Sequence, residues 1–261
     1  MKLRPWLVLF GLLCTPHLWA ETSCEGEPAD LLVLGDSQTG ATWATAYFGN
    51  FLQKCLTEGG KKFVSYARGG TQPIHWLNHP GLDRIETIFR SPDHPHLNLG
   101  SDVLPTCKKR LDSLIRIHQP KEVLLFFGDN LLSSPTAEVR KQFRGLVETL
   151  VRMGIDENHC TLLTPSFEME VASKRNVPSK NLENTQKVIA AILEEAQGKC
   201  RILNGLEIME QTVFRSGDLL RRIPIEGTSG CFGKAANDNI HYCGAAAQEL
   251  AQQVCKQLMA Y

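Results

Sequence analysis

Five short apolar runs punctuate the chain: Leu31 to Leu34, Phe63 to Ala67, Val123 to Phe127, Thr161 to Leu163, and Arg201 to Leu203. Each is three to five residues long and carries β-branched or bulky side chains without polar alternation, the pattern of a strand covered on both faces. Between them the apolar positions switch to helical spacing. Trp43, Tyr47, Phe48, Phe51, Leu52, Cys55 and Leu56 form one stripe stopped by Gly59-Gly60. Cys107, Leu111, Leu114, Ile115 and His118 form a second, ended by Pro120. A third opens at Ser134-Pro135 with Val139, Phe143, Leu146, Val147 and Leu150 and closes at Gly154; a fourth takes Leu182, Val188, Ile189, Ile192 and Leu193 to Gly198. Ala246, Leu250, Ala251, Val254, Cys255 and Leu258 predict a C-terminal helix. Strand-helix alternation of this kind predicts a doubly wound, three-layer α/β domain whose right-handed crossovers leave the ligand site at the C-terminal ends of the strands.

Two connections, 71–104 and 204–237, are too long for turns and are expected to be functional loops. The 261 residues, 43% apolar, suffice for one domain with a substantial core. Lys+Arg at 28 against Asp+Glu at 28, with no run of five like charges, argues against nucleic-acid binding and against a polybasic membrane anchor.

Lys2 and Arg4, the apolar run Trp6 to Cys14 and a polar stretch to Ala20 follow the layout of a secretory signal peptide, expected to be cleaved after Ala20. The run is too short to span a bilayer. The expected organisation is therefore a signal peptide over 1–20 and one domain over 21–261, in an exported protein without stable membrane insertion. Cleavage leaves eight cysteines, an even number in an oxidising compartment, and predicts disulfides. If Cys160 and Cys200 both start neighbouring strands they can pair at the edge away from the site, and Cys231 can pair with Cys243; the connectivity as a whole stays open.

Directly after the first strand, Gly35-Asp36-Ser37 puts a serine on the strand-to-helix turn, where a nucleophile would be presented. Gly-Asp-Ser is also a common turn and helix-capping tripeptide, and Thr39 takes the final Gly position of a G-x-S-x-G elbow. Near the other end, Asp238-Asn239-Ile240-His241 precedes the last helix. A serine needs a base and that base needs a carboxylate to fix its tautomer, although Asp-x-x-His alone also reads as a solvated loop histidine beside a capping carboxylate.

Ser37 near the start and Asp238-x-x-His241 before a terminal helix resemble the GDSL/SGNH hydrolase superfamily. Gly128-Asp129-Asn130 after the third strand matches that family's G-x-N block, although Leu131 stands where many members have Asp. Its second block, a glycine after strand two, falls in Ser65 to Thr71, with Gly70 the preferred match and Gly69 the fallback. All four blocks come in family order. The resemblance implies an α/β/α sandwich on a five-stranded parallel, flavodoxin-like sheet. It also implies a serine esterase with Ser37 as nucleophile, His241 as base and acid, Asp238 orienting it, and the N–H groups of Ser37 and Gly70 with the Asn130 amide as oxyanion hole. No cofactor is needed for that chemistry. Asp36 is read as a turn carboxylate without a catalytic role.

The first long loop carries His75 and Trp76, candidates for substrate contact; Trp76 either stacks on a sugar or acyl group or packs the loop in place. His75-x-x-x-His79 and Asp93-His94-Pro95-His96 have ligand residue types without a clear helix to hold them, and no metal site is assigned. Arg215, Arg221 and Arg222 of the second loop are surface charges or meet an anionic glycan. Export and the absence of a broad acyl-tunnel pattern point to an ester substrate, a short acyl or acetyl group on cell-envelope polysaccharide or peptidoglycan. Lysophospholipase or thioesterase activity, O-acyl transfer, and a non-enzymatic role as a glycan-binding or accessory envelope protein are the alternatives.

Overall fold

The computed structural model describes residues 27–40, 48–78, 87–90, 94–97, 110–166, 169–170, 177–178, 182–212 and 244–260. The expected signal peptide, Trp43, Tyr47, His79, Cys24, Cys107, Cys231, Cys243, the arginines of the second long loop, Asp238 and His241 lie outside the described residues.

In chain order the elements are β1 (Leu31–Gly35), α1 (Ser37–Gly40), α2 (Phe48–Glu58), β2 (Phe63–Ala67), α3 (Pro73–Leu77), β3 (Thr87–Arg90), β4 (His94–Leu97), α4 (Leu111–His118) and β5 (Glu122–Phe126). A 3-10 turn (Asp129–Leu131) follows, then α5 (Thr136–Arg152), β6 (Cys160–Leu163), β7 (Met169–Glu170), β8 (Val177–Pro178), α6 (Leu182–Ala196), β9 (Arg201–Leu203), α7 (Gly205–Thr212) and α8 (Gly244–Met259).

The main sheet runs β4-β3-β2-β1-β5-β6-β9. Its five strands β2, β1, β5, β6 and β9 are parallel, as the apolar runs predict. Taken alone they have the order 2-1-3-4-5, the flavodoxin-like winding that reverses direction between β1 and β5. The first long connection is not a bare loop: it contributes α3 and then β3 and β4, which extend the sheet antiparallel beyond β2. Pro95 in β4 is tolerated because that strand is an edge and needs no N–H on its open side. Part of the second long connection is likewise helical, as α7.

Strand alternation divides the core in two. Leu32, Leu34, Val64, Tyr66, Val123, Leu125 and Leu162 pack with α3, α4, α5 and α6 on one face. Leu31, Val33, Phe63, Leu124, Phe126 and Leu163 pack with α2, α7 and α8 on the other. Every residue of β1, β2, β5 and β6 is buried, which is why these strands read as unbroken apolar runs.

Disulfides join Cys160 to Cys200, at the N-terminal end of β6 and just before β9, and Cys55 to Cys255, between α2 and α8. The second pair fixes a direction. Lys61, just before β2, donates to the Leu258 carbonyl at 3.4 Å, and Gly59 faces Met259, so α2 and α8 end together at the edge where the parallel strands begin. Packed side by side, the two helices run parallel, and the 16-residue α8, about 24 Å long, starts at the opposite edge, where the strands end.

Candidate active site

Three turns leave that edge from three adjacent strands. β1 is flanked by β2 and β5 with Gly35 paired to both Ala67 and Phe126, so the chain emerges at matching heights after Gly35, Ala67 and Phe126. The first turn delivers Ser37, half-buried, as the opening residue of α1. The second carries Gly69 and Gly70, the latter exposed and at φ 69°, a left-handed conformation that a residue with a Cβ adopts only at a cost. The third carries Gly128 at φ 143° and then Asn130 within the 3-10 turn. A side chain at Gly128 would also strike Pro165, its Cβ falling 2.7 Å from the proline Cδ, so the position needs glycine both for its backbone angle and for the close approach of the turn after β6.

Asp36 joins the first and third turns. It is fully buried; its Oδ1 accepts from the Gln38 N–H at 3.0 Å, the expected turn role. Its Oδ2 accepts from the Asn130 side-chain amide at 3.1 Å, a contact that Gly-Asp-Ser read as a local turn does not announce. The same Asn130 nitrogen donates to the Thr71 carbonyl at 3.1 Å, joining the third turn to the second. Asn130 is thus held broadside across the switch point with both amide hydrogens directed at protein oxygens. Both bonds, at 3.1 Å, lie within the ordinary N–H···O range.

Trp76 lies inside the fold. Its indole is 0% exposed, packs against Phe127 with ring centroids 6.1 Å apart, and donates to Thr71 Oγ1 at 3.4 Å. A ring so enclosed has no face for a sugar; it seats α3 beneath the Gly70 turn instead. His75 is exposed, one residue away, and its Nδ1 accepts the Gln72 N–H at 2.9 Å, leaving Nε2 as the outward nitrogen. Ser37, Gly70 and Asn130 therefore share one edge, whereas Asp238 and His241 belong to the stretch outside the described residues that leads into α8.

No protein-family model and no curated protein matches the sequence. Solved structures do match its fold. A GDSL-like lipase from Bacteroides thetaiotaomicron superposes over 88% of this chain and 87% of its own with a TM-score of 0.50 at 11% identity. A protein from Slackia heliotrinireducens assigned to the SGNH hydrolases covers 88% of this chain and 99% of its own with a TM-score of 0.52 at 12% identity. A Bacillus subtilis protein reaches 0.54 at 14% identity over 89% of this chain, which spans just over half of that longer molecule, 56%. With a 2-1-3-4-5 parallel core and a serine, a glycine and an asparagine turn on neighbouring strand ends, the chain has the fold of the GDSL/SGNH hydrolases.

Proposed function

We propose that this chain is an exported SGNH-type serine esterase that removes a short acyl group, acetyl above all, from a cell-envelope polysaccharide or peptidoglycan. Ser37 Oγ attacks the ester carbonyl while His241 takes its proton; Asp238 orients the imidazole and stabilises its charged form. The tetrahedral oxyanion is met by the N–H groups of Ser37 and Gly70 and by the Asn130 amide. His241 then protonates the leaving alcohol, and water resolves the acyl-enzyme by the same steps in reverse.

The observation that carries this reading is the convergence of the Ser37, Gly70 and Asn130 turns on the ends of β1, β2 and β5, around the switch point where doubly wound folds bind ligands. The course of α8 supports the rest. It starts at that same edge, and only two residues, a reach of at most about 11 Å over three Cα–Cα steps, separate His241 from Gly244 at its first turn. The two disulfides and the charged-apolar-small layout of residues 1–20 support export, and among the described residues no helix is long and apolar enough to cross a membrane.

The test is hydrolysis of p-nitrophenyl esters from acetate to decanoate by the mature chain beside Ser37→Ala. The expected result is turnover that falls with acyl length and disappears in the variant. Rates that rise with chain length favour the lysophospholipase or thioesterase alternative, and turnover that survives Ser37→Ala removes the serine mechanism.

A further inference from the structure

The turns that carry Gly70 and Asn130 come from β2 and β5, which are not neighbours: β1 lies between them, so their strands stand about 10 Å apart and no ladder hydrogen bond sets one turn against the other. Two side-chain bonds in opposite directions close that gap. Asn130 Nδ2 donates to the Thr71 carbonyl at 3.1 Å, and the next residue, Gln72, returns its Nε2 to the Asn130 carbonyl at 2.7 Å.

Gln72 is itself held from behind by Gln142, which interrupts the apolar face of α5 and is 2% exposed. Gln142 Nε2 donates to Gln72 Oε1 at 3.0 Å and to Glu138 Oε1 at 3.1 Å, while its Oε1 accepts the Ile74 N–H at 3.2 Å. All three strong hydrogen-bonding directions of this buried amide that the structure shows are spent on α5 itself and on the segment after Gly70. An amide buried in an apolar face costs stability unless its partners are fixed, and here the partners lead in two steps to the Asn130 backbone.

We propose that Gln142 and Gln72 are positioning residues of the oxyanion hole: α5 sets Gln142, Gln142 sets Gln72, and Gln72 fixes the Asn130 turn relative to the Gly70 turn. This role rests on the reading of Asn130 and Gly70 as oxyanion donors. Donors taken from two strands that do not touch need such a brace, because catalysis by preorganised dipoles is lost when they stand about 1 Å out of place.

The experiment measures kcat, KM and thermal unfolding on p-nitrophenyl acetate for the wild type, Gln142→Leu, Gln72→Leu, Asn130→Ala, each glutamine variant combined with Asn130→Ala, and Ser37→Ala. The expected result is a kcat lower by roughly 10- to 100-fold in each glutamine variant with KM within about threefold, and no further loss when either is added to Asn130→Ala. If Gln142→Leu does not fold, Gln72→Leu, at a half-buried loop position, supplies the same cycle. Glutamine variants that turn over like the wild type, or whose losses multiply with that of Asn130→Ala, overturn the positioning role while Ser37-dependent turnover keeps the esterase reading intact. Turnover that persists in Ser37→Ala, or no ester turnover in the wild type, overturns the esterase reading and the positioning role together.

Discussion

Replacing Asn130 by alanine separates what this residue does for the fold from the oxyanion role proposed for it. The variant loses a bond to the buried Asp36 carboxylate and one to the Thr71 carbonyl, both 3.1 Å long. A hydrogen bond to a charged acceptor contributes about 1.5–3 kcal/mol and a neutral one about 1, so the combined loss is roughly 2–4 kcal/mol. For a chain of this size that lowers Tm by roughly 5–15 °C, readable by calorimetry. On the catalytic side, the proposed oxyanion role predicts a loss on the order of 10² to 10³ in kcat, and since a bond made only in the transition state leaves substrate binding alone, kcat and kcat/KM should fall together. Asn130→Asp sharpens the structural half. It sets a second carboxylate against Asp36, so the pair is forced to hold a proton and the variant should be less stable at pH 8 than at pH 5. An Asn130→Ala protein that melts within about 1 °C of the wild type refutes the brace across the switch point; one that keeps its kcat refutes the oxyanion role.

Other substitutions test other parts of the structure. Gly128→Ala combines a disfavoured backbone angle with a Cβ 2.7 Å from Pro165 Cδ, and should cost at least about 1–3 kcal/mol in denaturant unfolding; a neutral result would mean that the turn after β6 gives way freely. Cys55→Ser with Cys255→Ser opens a loop of 200 residues, worth up to about 5 kcal/mol by chain entropy, so its urea midpoint under oxidising conditions should fall below that of the oxidised wild type while staying above that of the fully reduced protein, which lacks Cys160–Cys200 as well; equal midpoints before and after substitution would show that the bridge adds nothing. The Arg144 guanidinium hydrogen-bonded to Glu195 holds that carboxyl below its ordinary value. A lowered folded-state pKa gives stability that is present above the unfolded value, about 4.3, and is lost as pH falls through the folded one. Arg144→Gln should therefore destabilise at pH 7, and by less as the pH drops below about 4; a gap that widens in acid would contradict the assignment.

The parallel core was legible because both faces of its strands are covered, so burial wrote uninterrupted apolar runs into Leu31 to Leu34 and Val123 to Phe127. β3 and β4 left no such trace: four residues each, with Pro95 in the outer strand, they have neither length nor period. Five-residue α3 is too short to show a stripe. Ser37 stood out on the turn after the first strand, and Gly70 and Asn130 followed from the resemblance, as the family's second and third blocks after strands two and three. The contacts among them could not, since Asp36 meets Asn130 across 94 residues and Gln72 meets Gln142 across 70, and no local pattern encodes such a partner. For the same reason the sequence offered both packing and substrate contact for Trp76 and could not name Phe127 and Thr71 as what encloses its ring.

The span of the Cys55–Cys255 bridge has a bearing on maturation. On the proposed export route residues enter an oxidising compartment in sequence order, N-terminus first, so Cys55 arrives with its partner still 200 residues behind. Cys160 and Cys200, 40 residues apart, become available to each other before Cys255 has emerged, and for that interval Cys55 can join either of them in a bridge that must later be undone. The proposed nucleophile lies before the first cysteine of the long bridge and the proposed base only 14 residues before the second. Oxidants acting alone would trap early pairings, whereas thiol exchange lets α8 claim Cys55 when it docks on α2. On that route the yield of active protein should depend on the presence of a disulfide isomerase, and the docking of α8 is the step that closes the long bridge.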